Sequence, residues 1–418
     1  MRQSKLFTRT KKEAPKDEQS KNSRLLARGG FIDKLMAGIY SFLPLGFIVL
    51  KKIENIVRDE MKGIGGQEVL LPSLLPKENW LKTNRWQYKE MFKLKGRTEK
   101  DFSLGWTHEE IITPLVKKFI KSYKDLPLYV YQIQDKFRDE LRVKSGLLRG
   151  VEFIMKDLYS FHQDEKDLEK YYEKVKKAYF RIFKRCGLSK ETFLTLSSGG
   201  TFSKYSHEFQ TITPFGEDTV YLCLKCKIAV NKEIIALENY RCPQCGNKKM
   251  ETRKAIEVGN IFKLKDRFSR AFDFSFVDKN GNKKPVLMGC YGIGLSRLMG
   301  AVVEIWHDEK GIIWPEEISP FKIHLIRIEK TKKVKQAAEK LYHDLQEKNL
   351  EVLYDDREDK APGEKFADAD LIGMPIRIVI SERTLKRNSL EVKERNKKET
   401  KLVRIGHLSQ LLKSKIKH

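Results

Sequence analysis

The sequence lacks any apolar run long enough to span a membrane. Its longest apolar stretch, residues 35–50, is interrupted by two glycines, a serine and a proline, whereas a spanning helix needs roughly 20 apolar residues in succession. The first residues also lack the apolar core of a secretory signal, since lysine and arginine recur among them. These absences argue against a membrane or secreted protein, and we expect a protein of the cytoplasm.

Acidic residues are scarce relative to basic ones. The 418 residues include 57 Asp+Glu against 83 Lys+Arg, which gives a formal net charge of +26. Such a surplus attracts polyanions over long distances and accelerates their association, so we expect a nucleic acid as partner. A solvated, lysine-rich surface would give the same charge without any ligand. With 40% hydrophobic residues, the chain has enough apolar sequence for two or three domains.

Cysteines are also few, but four of the six are patterned. Cys223-Leu-Lys-Cys226 and Cys242-Pro-Gln-Cys245 are separated by fifteen residues, which is the spacing of a tetrahedral zinc ribbon. A reducing compartment disfavours disulfides, so we predict a structural Zn²⁺ bound by the four thiolates. The alternative is a vestigial ribbon that binds metal loosely or not at all. The two other cysteines, expected in the core, are Cys186 and Cys290.

Apolar periodicity divides the chain into two parts. Lys51–Met61 and Gln163–Cys186 carry apolar side chains at helical spacing, and strands and turns dominate Phe193–Val277. After the proline-bounded segment Trp314–Pro320, strand and helix patterns alternate, as in a small α/β domain with a mixed sheet. The expected domains are 1–320, with the ribbon inserted at about 221–250, and 321–418.

A first chemical motif is Phe137-Arg-Asp-Glu140. Arg138 and Glu140 are two residues apart and would share one face of a strand. A second strand would carry Phe153, with Arg149 four residues before it. A hairpin with a guanidinium, a carboxylate and an aromatic ring suits a nucleotide, with a phosphate on Arg138 and the base stacked on Phe153. In isolation, however, Arg-x-Glu in a strand is more often a surface cross-strand pair.

A second motif extends from Met288 to Arg297. It predicts an apolar strand, a glycine-rich turn and a helix that carries Arg297 near its start, where the guanidinium can meet a phosphate. No βαβ unit with a following acidic residue is evident, so a dinucleotide fold is not indicated. In isolation, the segment could equally be a packing turn.

These two motifs, together with a proline-bearing segment that enters a helix, resemble in order and spacing the three signature motifs of class II aminoacyl-tRNA synthetases. More closely, the chain resembles the bacterial-type prolyl-tRNA synthetase family along nearly its whole length. The stretches that carry the resemblance are 37–46, Thr107-His-Glu-Glu110, 137–159, Ser206-His-Glu-Phe209, 288–297 and 355–375.

The resemblance implies both a fold and a reaction. The fold is an α+β catalytic domain with a mostly antiparallel sheet, followed by a C-terminal α/β anticodon-binding domain with a mixed sheet. The reaction joins L-proline to ATP, with Mg²⁺, as prolyl-adenylate, and then transfers the prolyl group to the 3′ end of tRNA(Pro). A homodimer is implied, and neither a membrane nor DNA is expected as partner.

The resemblance also implies roles for single residues. Arg138 would bind the α-phosphate and the carboxylate of proline, Glu140 the adenine amino group, and Phe153 would stack on adenine. Arg149 and Arg297 would bind the outer phosphates. In the second domain, the resemblance nominates three residues for contact with the anticodon, although charged loop residues are commonly just solvated: Asp356, Arg357 and Lys365.

Thr107 and Glu109 match the amino-acid loop of the family. Proline's secondary ammonium has two donors, which a hydroxyl and a carboxylate at this spacing can accept. A helix start, with Thr107 as cap and Glu109 in the first turn, would give the same pattern. Two residues depart from the family and leave the pocket shape open, because Trp106 stands where proline is usual and Asn260 where histidine is usual.

Two other functions remain open at this point. One is a catalytically silent paralogue that binds tRNA, which would have no chemical reason to retain Arg138, Glu140, Phe153 and Arg297 together. The other is a synthetase for threonine or serine, which the Thr107/Glu109 pair disfavours. Common bacterial members carry a large editing domain between the second and third motifs, but only about 130 residues separate Phe153 from Met288 here. We therefore expect no editing in cis.

Overall fold

A computed structural model describes residues 1–15, 18–141, 143, 145–199 and 205–415. The chain forms two compact units. The first consists of 1–34, 41–52 and 302–418, and the second of 35–40 and 53–301. Among the residues described, no helix combines the length and the apolar character that crossing a membrane requires.

The helices of four or more residues are α1 (Lys21–Arg28), α2 (Pro44–Gly63), α3 (Lys77–Lys82), α4 (Glu109–Val116), α5 (Glu165–Arg185), α6 (Arg267–Ala271), α7 (Leu295–Ile305), α8 (Lys332–Glu347), α9 (Pro362–Ile372), α10 (Glu382–Lys386) and α11 (Leu408–Lys415).

The strands are β1 (Ile32–Met36), β2 (Ile39–Phe42), β3 (Gln67–Glu68), β4 (Leu74–Pro76), β5 (Lys93–Lys95), β6 (Asp101–Leu104), β7 (Leu128–Phe137), β8 (Glu152–His162), β9 (Thr192–Ser198), β10 (Tyr205–Ile212), β11 (Asp218–Cys223), β12 (Ile228–Asn231), β13 (Glu251–Lys265), β14 (Ser275–Val277), β15 (Lys283–Pro285), β16 (Leu287–Gly294), β17 (Ile323–Arg327), β18 (Val352–Asp355), β19 (Ile376–Ile380), β20 (Ser389–Glu394) and β21 (Thr400–Arg404).

The second unit is built on a nine-stranded sheet with the order β10-β9-β12-β11-β13-β16-β8-β7-β3. Only β3 with β7 and β9 with β12 pair in parallel, which confirms the predicted mostly antiparallel sheet. Helix α5 lies against β8, β13 and β16. Asp164 caps its first turn by accepting from the backbone amide of Asp167. Its buried stripe includes Tyr171, Val175 and Tyr179, as the helical period predicts.

The first unit contains a five-stranded sheet with the order β18-β17-β19-β20-β21. β18, β17 and β19 are parallel, whereas β20 and β21 pair antiparallel, so the predicted mixed sheet is confirmed. Ile323 and Leu325 of β17 pack with Val334 and Leu341 of α8 in the core of this part. The sequence interpretation missed the short helix α10 and strand β21, because neither carries a clear apolar period.

Two local predictions were wrong. β7 ends at Phe137, so Arg138 and Glu140 follow the strand rather than share one of its faces. In the second motif there is no glycine-rich turn, because β16 includes its glycines and continues directly into α7. Side chains pack closely against one of these glycines, since a Cβ on Gly292 would lie 2.4 Å from Met155 Cε and 2.9 Å from Asn260 Oδ1.

Candidate active site

Three neighbouring strands of the second unit, β7, β8 and β16, place the motif residues near one another. In the β7–β8 pair, Lys136 is opposite Phe153, and just beyond it the backbone amide of Arg138 donates to Val151 O at 2.8 Å. β16 pairs with the other edge of β8 and leads into α7, whose first turn carries Arg297. The sheet therefore positions residues that are more than 100 positions apart in the sequence.

The first part of the site, which we term the guanidinium end, contains Arg138, Arg149 and Arg297. The Arg138 guanidinium carbon lies 5.2 Å from the centre of the Phe153 ring. Among the described residues, its buried Nε has no hydrogen-bond partner and no carboxylate forms an ion pair with it. Burial lowers the pKa of Arg138, and the positive charge of Arg297 lowers it further. Arg138 is therefore a buried cation that an anionic ligand would stabilise.

Arg297 has a fixed position. Its Nε donates to Leu148 O and its Nη1 to Glu257 O, both at 2.8 Å, and the Glu257 carboxylate lies 3.7 Å from Nη1. Because two backbone carbonyls hold the guanidinium, most of its positive charge is not neutralised by a close carboxylate.

Arg149 is held between two acids. Its Nε and Nη2 donate to Glu140 Oε2 at 2.9 and 2.6 Å, and its Nη1 donates to the Glu217 carboxylate. These contacts raise the pKa of Arg149, although its burial acts in the opposite direction. Both bonds to Glu140 use Oε2, so Oε1 lies outside the Arg149 contact. The structure thus joins Glu140 and Arg149, for which the sequence interpretation had separate roles.

The second part of the site, the carboxylate end, contains Thr107, Glu109 and Glu110. Helix α4 begins at Glu109, so the alternative of a helix start describes the local backbone. Thr107 is nevertheless not the cap, because its hydroxyl donates to Glu109 Oε2 at 2.6 Å. Because its proton is used in this way, Thr107 Oγ1 can accept a further hydrogen bond through its lone pairs. Thr107 and Glu109 together therefore offer hydrogen-bond acceptors to a ligand. The backbone amide of Phe137, the residue before Arg138, donates to the carbonyl of Gly105, two residues before Thr107, at 3.0 Å, so the two ends lie close together.

Sequence reasoning missed Arg85 and Cys290. Arg85 Nη1 donates to Glu109 Oε2 at 3.2 Å and to Glu110 Oε1 at 3.0 Å. The Cys290 thiol, predicted only as a buried core residue, is indeed buried and donates to Glu109 Oε1 at 3.2 Å. Arg85 belongs to none of the motifs, and Cys290 lies in the second motif without a role assigned to it there. Only the folded packing brings the two residues to Glu109.

The two departures from the family pattern both contact site residues. Trp106 packs over Arg85, with 5.0 Å between the guanidinium carbon and the ring centre. Asn260 Nδ2 donates to Glu257 Oε1 at 2.7 Å. Asn260 therefore supports a carboxylate of the guanidinium end, and Trp106 acts on the carboxylate end through Arg85.

An acidic wall, which we define as Glu208, Asp218 and Glu257, adjoins the guanidinium end. Burial raises the pKa of Glu208 to about 8, and repulsion from Glu257 contributes to the rise. The pKa of Asp218 is also raised, chiefly by burial and also by Glu257, whereas Arg297 acts to lower it. Crowded, buried carboxyls of this kind are stabilised by a nearby cation.

The four patterned cysteines come together as predicted. The Sγ atoms of Cys223, Cys226, Cys242 and Cys245 all lie within 4.8 Å of one another, and those of Cys223 and Cys245 are 3.8 Å apart. Thiolates bound at about 2.3 Å around one tetrahedral Zn²⁺ lie about 3.8 Å apart. Each pair closes a tight turn, since the amides of Lys227 and Gly246 donate to Cys223 O and Cys242 O at 2.8 Å. The donor set and its geometry fit Zn²⁺.

The three anticodon candidates lie in the first unit and have partners within it. Asp356 accepts from the amide and hydroxyl of Ser4 at 3.0 and 2.8 Å. Arg357 binds Asp355 with two hydrogen bonds of 2.8 and 2.6 Å. Lys365 is buried and donates to the carbonyl of Arg327 at 2.8 Å. Their contact with tRNA stays a prediction.

Two family models match the chain. The tRNA synthetase class II core domain (G, H, P, S and T) matches residues 92–306, and an anticodon binding domain matches residues 318–415.

Curated relatives match almost end to end. The proline–tRNA ligase of Wolbachia pipientis is 41% identical over 419 residues, covering 97% of this chain and 98% of that protein. The proline–tRNA ligase of Moorella thermoacetica is 35% identical over 551 residues, covering 96% of each. Because 551 aligned positions exceed the 418 residues of this chain, the Moorella protein contains inserted sequence that has no counterpart here.

A solved structure has the same fold. The prolyl-tRNA synthetase of Cryptosporidium parvum, complexed with L-proline and AMP, superposes with a TM-score of 0.77 at 19% sequence identity, covering 94% of this chain and 75% of that one.

Proposed function

We infer the reaction of this chain from its family, because the chain belongs to the class II tRNA synthetases and, within them, to the proline–tRNA ligases. It activates L-proline with ATP to prolyl-adenylate and pyrophosphate, and then transfers the prolyl group to the 3′-terminal adenosine of tRNA(Pro). The substrate carboxylate itself attacks the α-phosphate. Catalysis therefore consists of positioning and charge stabilisation, without an enzyme nucleophile.

We assign ATP to the guanidinium end. The α-phosphate and the proline carboxylate would meet Arg138, whose buried Nε has no partner in the described residues. Adenine would stack on Phe153 and donate its amino group to Glu140, where Oε1 lies outside the Arg149 contact. Arg149 and Arg297 would bind the outer phosphates, for which Arg149 must exchange a carboxylate for phosphate oxygens. The guanidinium of Arg297 is already oriented by two carbonyls.

The bound ammonium of proline belongs at the carboxylate end. A secondary ammonium has two N–H donors, and Thr107 Oγ1 and Glu109 provide two acceptors of which the hydroxyl has already given its own proton to Glu109. The proximity of these acceptors to Arg138 is the observation that carries the proposal, because it brings an ammonium site and a phosphate site together.

Two metal ions are proposed. Mg²⁺ would arrive with ATP, reduce the repulsion between its phosphates, and find oxygen ligands in the acidic wall, where a cation would lower the raised pKa values of Glu208 and Asp218. Zn²⁺ would occupy the Cys223, Cys226, Cys242 and Cys245 cluster. Four thiolates leave no open coordination position for a substrate, so its role there is structural.

We propose domains over 1–320 and 321–418, with the anticodon of tRNA(Pro) contacting the second through Asp356, Arg357 and Lys365. The net charge of +26 favours such a ligand. We further propose a homodimer that works in the cytoplasm, where tRNA is charged. The hairpin of β11 and β12 and the second cysteine pair occupy the interval in which an editing domain would lie, so we propose that this chain does not edit in cis.

The test of this function is proline-dependent ATP–pyrophosphate exchange, measured with each of the twenty amino acids. We expect proline to support exchange far better than any other amino acid. A preference for threonine or serine would assign a different synthetase of the same class. Binding of tRNA without exchange for any amino acid would identify a silent paralogue and overturn the proposal.

A further inference from the structure

Arg85 has no part in the reaction described above, and yet it lies at the centre of the carboxylate end. Its side chain is only 4% exposed, as are those of Glu109 at 3% and Glu110 at 0%. One guanidinium nitrogen bridges both carboxylates. A charge this deeply buried is costly unless it is paired and held in good geometry.

Four aromatic rings surround the Arg85 guanidinium and form what we term the aromatic box. The distances from the guanidinium carbon to the ring centres are 5.0 Å for Trp106, 5.5 Å for Phe268, 5.7 Å for Trp80 and 5.9 Å for Tyr88. Each distance lies within the range of a cation–π interaction, which tryptophan gives most strongly. Trp106 also packs against two other rings of the box, those of Trp80 and Tyr88.

Arg85 determines which oxygen of Glu109 is available. Oε2 of Glu109 accepts from both Thr107 and Arg85, whereas Oε1 accepts only a weak thiol bond from Cys290 among the contacts described. A carboxylate held twice through one oxygen cannot rotate freely. Its other oxygen therefore points in one direction and can accept from a ligand.

The charge balance favours the same role. Above the raised pKa of Glu110, which is about 7, both adjacent carboxylates are ionised and Arg85 offsets one of them, which leaves one negative charge to meet the ammonium of an amino acid. Without the guanidinium, two buried carboxylates would lie side by side, and one would take up a proton rather than remain charged.

We propose that Arg85 and the aromatic box, with Trp106 as its nearest ring, are positioning residues that orient Glu109 for the ammonium of proline. This inference rests on the proposed function and adds residues to its amino-acid site. It also gives the Trp106 departure a physical role, because a proline at that position would supply no π face to Arg85.

The test compares Trp106→Phe and Trp106→Leu with a matched control, Trp86→Leu. Trp86 follows Arg85 in the chain and, like Trp106, packs against the apolar cluster that contains Trp80. Its ring centre lies 5.5 Å from Lys77 Nζ and 5.4 Å from Lys93 Nζ, and among the contacts described the ring makes no cation–π contact with Arg85. Exchange kinetics give kcat and the KM values for proline and for ATP, and thermal melting reports folding.

Loss of the Trp106 ring should raise the KM for proline about 2- to 30-fold, the range of a cation–π contact, with the KM for ATP unchanged. Trp106→Phe should fall between wild type and Trp106→Leu, because phenylalanine keeps a weaker π face. Trp86→Leu should leave the KM for proline within about twofold. If Trp106→Leu does not fold, Trp106→Phe alone tests the inference, through a rise in the KM for proline with the KM for ATP unchanged.

Three results would overturn the inference. These are an unchanged KM for proline in a folded Trp106 variant, an equal rise in the KM for ATP, or an equal rise in Trp86→Leu. Absence of proline-dependent exchange in the wild-type protein would instead refute the proposed function itself, so the two failures are distinguishable.

Discussion

The two ends of the candidate site balance charge in opposite ways. At the guanidinium end, Arg138 is buried without an ion pair in the described residues, and Arg297 is bonded to backbone carbonyls. At the carboxylate end, the charge of Glu109 is already met by Thr107 and Arg85. Arg149 of the guanidinium end is ion-paired with Glu140 and Glu217, so the positive charge without a described anionic partner there is that of Arg138, whereas the carboxylate end is internally bonded.

This difference indicates how each end recognises its ligand. Unmet guanidinium charge attracts phosphates strongly but with little discrimination, because any polyphosphate satisfies it. A carboxylate held in one orientation discriminates by the geometry of its hydrogen bonds, and misplacing it affects only ligands that need that geometry. Mutations at the two ends should consequently have different kinetic signatures.

The largest effect is expected from Arg297→Ala at the guanidinium end. Losing a charged donor to a transition state costs about 3–4 kcal/mol, which is roughly two to three decades in exchange rate. The fold should persist, because the Arg297 side chain is 22% exposed and its two hydrogen bonds to backbone carbonyls are a small part of the bonding in this unit. Pyrophosphate exchange at saturating proline measures the loss.

Arg270→Ala is the matched control for that experiment. Arg270 is exposed and pairs only with Asp266 one helical turn away, a contact worth a few tenths of a kcal/mol, so its exchange rate should stay near wild type. Near-normal exchange by folded Arg297→Ala would contradict the expectation that the positive charge of the guanidinium end drives the reaction, and the two ends would then not differ as described.

A smaller effect is expected from Glu110→Gln at the carboxylate end. Burial raises the pKa of Glu110 from 4.5 to about 7. The folded protein thus retains a proton that the unfolded chain releases, so this group loses stability as pH rises from about 4.5 past 7. The loss is on the order of 3 kcal/mol at pH 8. Glutamine cannot ionise, and the Tm of the variant relative to wild type should therefore rise between pH 5 and pH 8.

Other buried carboxyls, Glu208 among them, contribute equally to both proteins and cancel in this difference. The exposed Glu78 offers a control, because Glu78→Gln should show a constant Tm difference across the same pH range. Parallel melting curves for Glu110→Gln and wild type would mean that the carboxylate end is not charged in the way the contacts indicate.

The cysteine cluster belongs to neither end of the site. Removing its metal should therefore not change how charge is balanced at either end. Cys242→Ser or chelation should release zinc and lower Tm by about 5 °C, while proline-dependent exchange in the folded protein falls no more than about threefold. Lys248→Ser, an exposed change beside the second cysteine pair, should alter neither quantity. Metal analysis that finds no zinc in purified protein, or immediate loss of exchange with the fold intact, would contradict this.

The sequence identified the arginines of the guanidinium end but missed Arg85 at the carboxylate end, and this difference has a physical cause. Arg138, Glu140, Phe153 and Arg297 belong to motifs whose spacing is visible along the chain, and the sheet does bring them together. Arg85 contacts rings from its own stretch of the chain and from two distant segments, together with a carboxylate 24 positions away. No local sequence pattern predicts packing between such distant segments.

The smallest expected effect concerns a substrate that the carboxylate end cannot exclude. Alanine carries an ammonium that Glu109 can bind, and it is smaller than proline, so no steric clash rejects it. Each missing methylene yields a discrimination of only about 10- to 200-fold, and we therefore expect detectable alanine-dependent exchange. The aligned Moorella relative contains inserted sequence that this chain lacks, and the hairpin of β11 and β12 occupies the interval between the motifs. Preformed alanyl-tRNA(Pro) incubated with the enzyme should consequently decay at the spontaneous rate, with enzyme-free tRNA as the control. Hydrolysis well above that rate would mean that the chain edits its own product, and geometry at the carboxylate end would then not be the only source of its specificity.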